Sequence, residues 1–216
     1  MHELLFQTFQ KTQTMQSKKI LITGAAGFIG FHAVKKLSAE GCEIVGIDNL
    51  CLLNKTPIKT HRLNELIKMS SQLNFTFIQQ DINQPDELEA LFSNHAFDFV
   101  FHFAAETGVR ESILFPQKYL KTNVQGFVNV IDLCHKYKVK KFIYASSSSV
   151  YGLNSKKEFS ENDTTECPIS PYAASKKSNE LTAYSYSYLH KLHTVGLRFF
   201  TVYGPWGRPD MFCFLF

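Results

Sequence analysis

The sequence predicts an α/β domain built on a doubly wound parallel sheet with strand order 3-2-1-4-5-6. Three observations carry that expectation. An apolar run, Ile20-Leu21-Ile22, is followed by a glycine turn and then by apolar residues at helical spacing. Further short apolar runs alternate with helical patterns along the chain, as parallel strands joined by helical crossovers require. Finally, the chain has 216 residues, 44% of them apolar and 20 of them Phe. That is enough for one buried core and too hydrophobic for a disordered segment.

Taken in order, Ile20 to Ile22 suit a strand buried on both faces. In the helix that follows, Ile29, Ala33 and Leu37 form the predicted apolar stripe, and Lys35 and Lys36 point to water. Gly24, Gly27 and Gly30 lie between, with Phe28 and Ile29 inside the last interval. Glycines at a strand-to-helix turn let backbone approach a pyrophosphate held on the helix N-terminus. The spacing is Gly-x-x-Gly-x-x-Gly, different from the standard dinucleotide fingerprint. A second strand, Glu43 to Ile47, ends in Asp48, eighteen residues past Gly30. An acid there accepts the adenosine ribose hydroxyls and repels a 2′-phosphate, so the expected cofactor is NAD and not NADP. Asn49 opens a loop to Thr60 containing Pro57, and Arg62 to Met69 has weak helical periodicity. Phe75 to Ile78 is the third strand, and Asp81-Ile82 after it are candidates for the adenine edge. Pro85 fits the first position of a helix running to Phe92.

Asp98 to Phe103 is the fourth strand, and the small Ala104 and Ala105 at its end allow a flat cofactor against the backbone. Tyr119 to Tyr137 is predicted as the longest helix, with Val124, Val128, Ile131 and Leu133 in its apolar part and Asn123 inside it. Lys141 to Ala145 is the fifth strand, followed directly by Ser146 to Ser149 at the ligand-binding end of such a sheet. Ser170 can cap the next helix with Pro171 in its first position. Tyr172 and Lys176 then lie four apart on one face. A phenol titrates near 10, and a neighbouring ammonium lowers that value. Such a pair can exchange a proton with a sugar hydroxyl while a nicotinamide exchanges the hydride. Thr194 to Phe200 is the sixth strand.

The net charge of +4 is scattered over presumed helix surfaces, which points to solubility and away from nucleic-acid binding. Five cysteines lie far apart without a C-x-x-C pair. That pattern points away from a metal or disulfide framework and suits a cytoplasmic location. No run reaches the roughly 18 apolar residues that span a bilayer. Residues 1–17 read as a disordered extension and not a signal peptide, with Met1 or Met15 as the start.

Together, Thr23-Gly24-x-x-Gly27-x-x-Gly30, Asp48, Ser146 to Gly152, Tyr172-x-x-x-Lys176 and Arg198 to Pro205 resemble the extended short-chain dehydrogenase/reductase family. The likeness covers about Lys19 to Met211, and its Rossmann-type domain is expected over residues 18–211. Within the family, Gly108-Val109-Arg110 and Thr201 to Met211 are most similar to nucleotide-sugar 4-epimerases of the UDP-glucuronate type. The resemblance implies a UDP-sugar substrate, NAD, a transient 4-keto intermediate and usually a homodimer. It implies that Tyr172 is the acid/base, that Ser147 bonds the reacting sugar oxygen, and that Lys176 holds the nicotinamide ribose. It further implies that Phe103, Ala104, Ala105, Asn123 and Phe200 line the cofactor cleft, and that Ser148, Ser149, Thr201 and Arg208 meet the sugar. Glu106, Thr107 and the stretch Cys51 to Pro57 depart from the family's usual residues. The alternatives are a 4,6-dehydratase, which has Asp-Glu where this chain has Ser148 and Ser149, and a non-catalytic NAD-binding fragment. Residues 212–216 carry no hint of the family's C-terminal substrate domain, so the expectation is a truncated chain that binds NAD weakly and does not turn over.

Overall fold

A computed structural model describes residues 17–51, 57–70, 72–154 and 158–207. Arg208, most of the N-terminal extension and the tail 212–216 lie outside the described residues. Six parallel strands form one sheet in the order β3-β2-β1-β4-β5-β6. They are β1 (Lys19–Thr23), β2 (Glu43–Asp48), β3 (Phe75–Gln79), β4 (Phe99–His102), β5 (Lys141–Ser147) and β6 (Thr194–Phe199). The order is the one predicted, and the sheet reverses direction of growth between β1 and β4, where ligands bind in such folds.

Between the strands run α1 (Phe28–Ala39), α2 (Ile58–Lys68), α3 (Pro85–Asn94), α4 (Val109–Leu114), α5 (Pro116–Tyr119), α6 (Gly126–Lys136) and α7 (Pro171–His190). Strand residues alternate between two cores. Leu21, Val45, Ile47, Val100 and Phe142 pack on one face with Leu88, Phe127 and Ile131 from the helices. Ile20, Ile22 and Ile44 pack on the other with Phe31, Val34 and Leu66. Burial on both faces explains why these strands are written as continuous apolar runs. The edge strands β3 and β6 are only half-buried.

Some elements differ from expectation. The buried stripe of α1 is Gly30, Phe31, Val34 and Ser38, one position round from the predicted one, and Lys35 lies over the Phe31 ring. The sheet contact selects the face bearing Phe31, because its ring fills space that Ala33 would leave empty. α2 begins at Ile58, four residues earlier than its weak pattern indicated. The predicted helix Tyr119 to Tyr137 is instead α5, a π-helical turn over Leu120–Gln125, and α6. The longest α-helix is α7, with 20 residues. Among the described residues, no helix is long and apolar enough to cross a membrane.

Candidate active site

A cleft of about 460 Å³ opens at the carboxyl ends of the strands. One wall is the glycine turn. Gly24 has φ +72°, and a Cβ there would lie 2.7 Å from the Ala104 nitrogen. A Cβ on Gly30 would lie 2.1 Å from the Gly24 carbonyl oxygen, so neither position accepts a side chain. Gly27 caps α1 without a side chain, leaving the first N–H groups of the helix facing the cleft uncapped. This bare cradle fits a pyrophosphate. Phe28 and Ile29 line the same wall.

Asp48 at the end of β2 is 4% exposed and lines the cleft. Its Oδ2 accepts from Ala26 N at 3.2 Å, and its Oδ1 from Leu50 N at 2.9 Å and Lys59 Nζ at 3.0 Å. The acid therefore also ties β2 to the glycine turn. Asn49 donates to Asp81 Oδ2 at 3.0 Å. Burial raises the Asp81 carboxyl, but the bonds from Asn49 and Asn83, helped by the Lys121 charge, outweigh it and hold the group below the usual carboxylate range. Asn49, Asp81 and Ile82 all line the cleft.

The floor is Phe103, Ala104 and Ala105, following β4. It is fixed from beneath by Thr23, whose Oγ1 accepts from Ala104 N at 3.1 Å and sits 2.9 Å from His102 Nδ1. Burial, and to a lesser degree the Lys176 charge, pushes His102 down to about 3, so this imidazole is a neutral structural partner.

The far wall brings the predicted catalytic residues together. Ser147, Ser148, Ser149, Tyr172, Lys176 and Phe200 line it, and Thr201 follows. Ser147 ends β5 and caps a 3-10 turn over Ser148–Tyr151, its Oγ accepting from Ser149 N at 3.1 Å. Ser170 caps α7 as expected, accepting from Ala173 N at 3.1 Å. One turn in, Lys176 is 2% exposed and donates to the Ala145 carbonyl at 3.0 Å. Its burial lowers it to about 8. The Tyr172 ring stands edge-on to Tyr119 at 6.2 Å. Behind the serines, Glu180 accepts from Ser146 Oγ at 2.6 Å and from Arg198 at 2.8 and 3.0 Å.

Asn123 is placed differently from the rest. It is 1% exposed behind the cleft, where its Oδ1 accepts from Glu106 N and its Nδ2 donates to Glu106 O and Ser175 Oγ. The adjacent Thr122 lines the cleft instead. Lys59, Arg62, Gln80, Glu106 and Thr107 also line it and were not singled out as site residues. Lys59 and Arg62 stand one turn apart on α2, a spacing visible in the sequence once that helix is known.

A parallel sheet in this order, a side-chain-free turn and an acid after β2 define a dinucleotide-binding α/β protein. The pattern of the NAD dependent epimerase/dehydratase family matches residues 20–215. The chain belongs to that family, an extended short-chain dehydrogenase/reductase group of enzymes, and NAD is its cofactor. It is 47% identical to Protein CapI of Staphylococcus aureus over 92% of this chain and 58% of that protein. It is 42% identical to UDP-glucuronate 4-epimerase 4 of Arabidopsis thaliana over 95% of this chain and 46% of that one. Among solved structures, UDP-glucuronic acid 4-epimerase of Bacillus cereus, in complex with UDP-glucuronic acid and NAD, superimposes with a TM-score of 0.78. That match is 39% identical and covers 91% of this chain and 60% of that one. UDP-glucose 4-epimerase of Thermotoga maritima gives a TM-score of 0.79 at 35% identity, covering 89% and 59%. The chain thus spans about half to three-fifths of the length of the relatives it matches.

Proposed function

We propose that this is an NAD-dependent 4-epimerase of UDP-hexuronates, interconverting UDP-glucuronate and UDP-galacturonate. The observation that carries the reading is the set of neutral hydroxyls, Ser148, Ser149 and Thr201, lining the cleft beside Tyr172. Hydroxyl donors suit a sugar carboxylate, since hydrogen bonds to charged groups are worth roughly 1.5–3 kcal/mol each. Serines in place of an Asp-Glu pair lack the strong acid/base groups that elimination of water would need. The 42% identity to a UDP-glucuronate 4-epimerase supports the same choice.

In this reading NAD would be held by the glycine turn, Asp48 and the floor after β4, and would supply reversible hydride acceptance at C4 of the sugar. Tyr172 takes the C4 hydroxyl proton in the first step and gives one back in the second. Lys176, charged at neutral pH, stabilises the Tyr172 phenolate and holds the nicotinamide ribose. Ser147 donates to the reacting oxygen, and Arg208, outside the described residues, is the proposed partner of the substrate's negative charge. Phe103, Ala104, Ala105 and Phe200 would line the place of the cofactor, with Asn123 supporting that wall from behind. The family is usually homodimeric, and in this reading the exposed Tyr184 and Tyr188, one turn apart on α7, belong to the face that a second copy would cover.

The test is turnover by a chain completed to the length of its relatives, with UDP-glucuronate against UDP-glucose and with UDP-galacturonate and UDP-galactose measured as products. The uronate should be preferred, and preference for the neutral sugar would overturn the substrate assignment. Tyr172→Phe should leave NADH affinity nearly unchanged and lower turnover by about 10²–10⁴-fold. Retention of more than about a tenth of the rate would remove Tyr172 from the acid/base role.

A further inference from the structure

The end of β5 is held by α7 one residue at a time. Tyr172, Lys176 and Glu180 fall on successive turns of that helix. Lys176 donates to the Ala145 carbonyl at 3.0 Å, and Glu180 Oε1 accepts from Ser146 Oγ at 2.6 Å. Ser147 follows directly, and with Tyr172 it lines the cleft. Glu180 is itself fixed from the next strand. Arg198 lies opposite Ser146 in the β5–β6 register and donates to both Glu180 oxygens, at 2.8 and 3.0 Å. The same guanidinium stands 4.9 Å from the centre of the Tyr151 ring, in the 3-10 turn that Ser147 caps. It also donates to the Glu161 carbonyl at 3.3 Å. Burial raises the Glu180 carboxyl, but the bonds from Arg198 and Ser146, with the charges of Arg198 and Lys177, outweigh it and hold the group below the usual carboxylate range. One carboxylate thus joins α7, β5, β6 and the serine turn.

We propose that Glu180 is a positioning residue for the reaction, one that sets the separation of Ser147 from Tyr172 by anchoring Ser146. The assignment rests on the reading in which Tyr172 is the acid/base and Ser147 bonds the reacting oxygen, and it deepens that reading. Glu180 itself stays behind the cleft wall, where its charge is matched by Arg198. What it supplies is a fixed acceptor. Ser147 is the last residue of β5, so its place depends on how that strand end sits against α7. A charge-assisted bond from the preceding side chain removes most of the strand end's freedom. Reacting groups need to be held within about 0.5 Å, and small misplacements cost rate far more than affinity.

The experiment compares Ser146→Ala, Glu180→Met and the double variant with the unmutated protein. Ser146→Ala cuts the link and leaves the Glu180–Arg198 pair intact. Should Glu180→Met misfold by circular dichroism, adding Arg198→Met removes the charge left unpaired. Kinetics use a chain completed to the length of its relatives, with whichever of UDP-glucuronate and UDP-glucose it turns over faster. A preference for the neutral sugar then overturns the substrate assignment and leaves this inference standing. In each single variant kcat should fall by about tenfold or more, with KM and NADH affinity within about threefold. The double variant should fall no more than about threefold further, because both changes cut one link. Hydrogen exchange on the 216-residue chain reads the same link without turnover. Residues 146–152 should exchange about tenfold faster in Ser146→Ala, while residues 20–23 and 99–102 keep the unmutated rate. Losses that multiply in the double variant, a rise in KM alone, or exchange that quickens evenly over the sheet would overturn the role and leave Glu180 a support of the fold. An unmutated completed chain that turns over neither sugar would overturn the epimerase reading, and exchange then decides the Glu180 link by itself.

Discussion

At Lys176 burial and function pull against each other, and the balance falls near neutral pH. The ammonium is enclosed at the head of α7 with the Ala145 carbonyl as its recorded acceptor, and burial brings it down to about 8. It is therefore charged at pH 7, where a phenolate at Tyr172 needs it, and loses that charge as pH rises through about 8. The stability consequence has the opposite sense. Because the folded value lies below the unfolded one of roughly 10.4, the unfolded chain binds the extra proton between those values. Stability contributed by this group rises as pH climbs from about 8 toward 10 and is lower below that window. Urea unfolding at pH 7 and pH 9.5 should show the unmutated chain gaining on Lys176→Met as pH rises. A constant difference between the two proteins would show that the burial cost is not felt. The Tyr-x-x-x-Lys pair was legible in the sequence because both residues sit on one helix at fixed spacing. The acceptor at Ala145 was not, since it comes from a strand 31 residues away.

Behind the cleft stands a π-helical turn over Leu120–Gln125, of which Thr122 reaches the lining. A wider turn advances the helix by one residue, and single π-turns often occur at functional sites. Here Asn123 lies buried inside it, its amide bonded to both backbone groups of Glu106 and to Ser175 near the head of α7. One side chain thus joins the loop after β4 to the helix that carries Tyr172. Asn123→Ala should leave the Glu106 N–H without its partner and cost about 1–3 kcal/mol. That corresponds to a fall in melting temperature of roughly 2–12 °C for a chain of this size. An unchanged melting temperature would show that the loop finds other partners. The regular helices and strands on either side were readable from apolar periodicity. The π-turn was not, because one inserted residue shifts the pattern without erasing it. The face of α1 was misjudged for a related reason: Ile29, Ala33 and Leu37 are as helical in spacing as Phe31, Val34 and Ser38, and only packing against the sheet selects between them.

Over the whole molecule, the two ends of the described chain meet through one buried cation. Arg62 on α2 is 1% exposed. Its guanidinium donates to the Ala26 carbonyl in the glycine turn at 3.3 Å, to Trp206 O at 3.0 and 2.6 Å, and to Gly207 O at 3.4 Å. The Trp206 ring packs 5.7 Å from Phe31, and His32 Nε2 lies 2.9 Å from the Pro205 carbonyl. The segment after β6, whose residues 200–202 line the cleft, is therefore seated on the helices that frame the glycine turn. Contacts spanning 144 residues leave no trace in local periodicity, and Arg62 read simply as the start of a weak helix. The link predicts that the glycine turn and this segment loosen together. Arg62→Met keeps apolar packing against Phe28 but removes the charged donors, which should cost at least about 2 kcal/mol after the freed carbonyls regain water. Trp206 is the sole tryptophan of the sequence, so its emission reports the segment directly. Emission should move to longer wavelength in Arg62→Met, and NADH affinity should fall with it, because the same side chain also holds Ala26. A variant that loses stability while tryptophan emission and NADH affinity stay unchanged would show that Arg62 supports the core alone and does not couple the two.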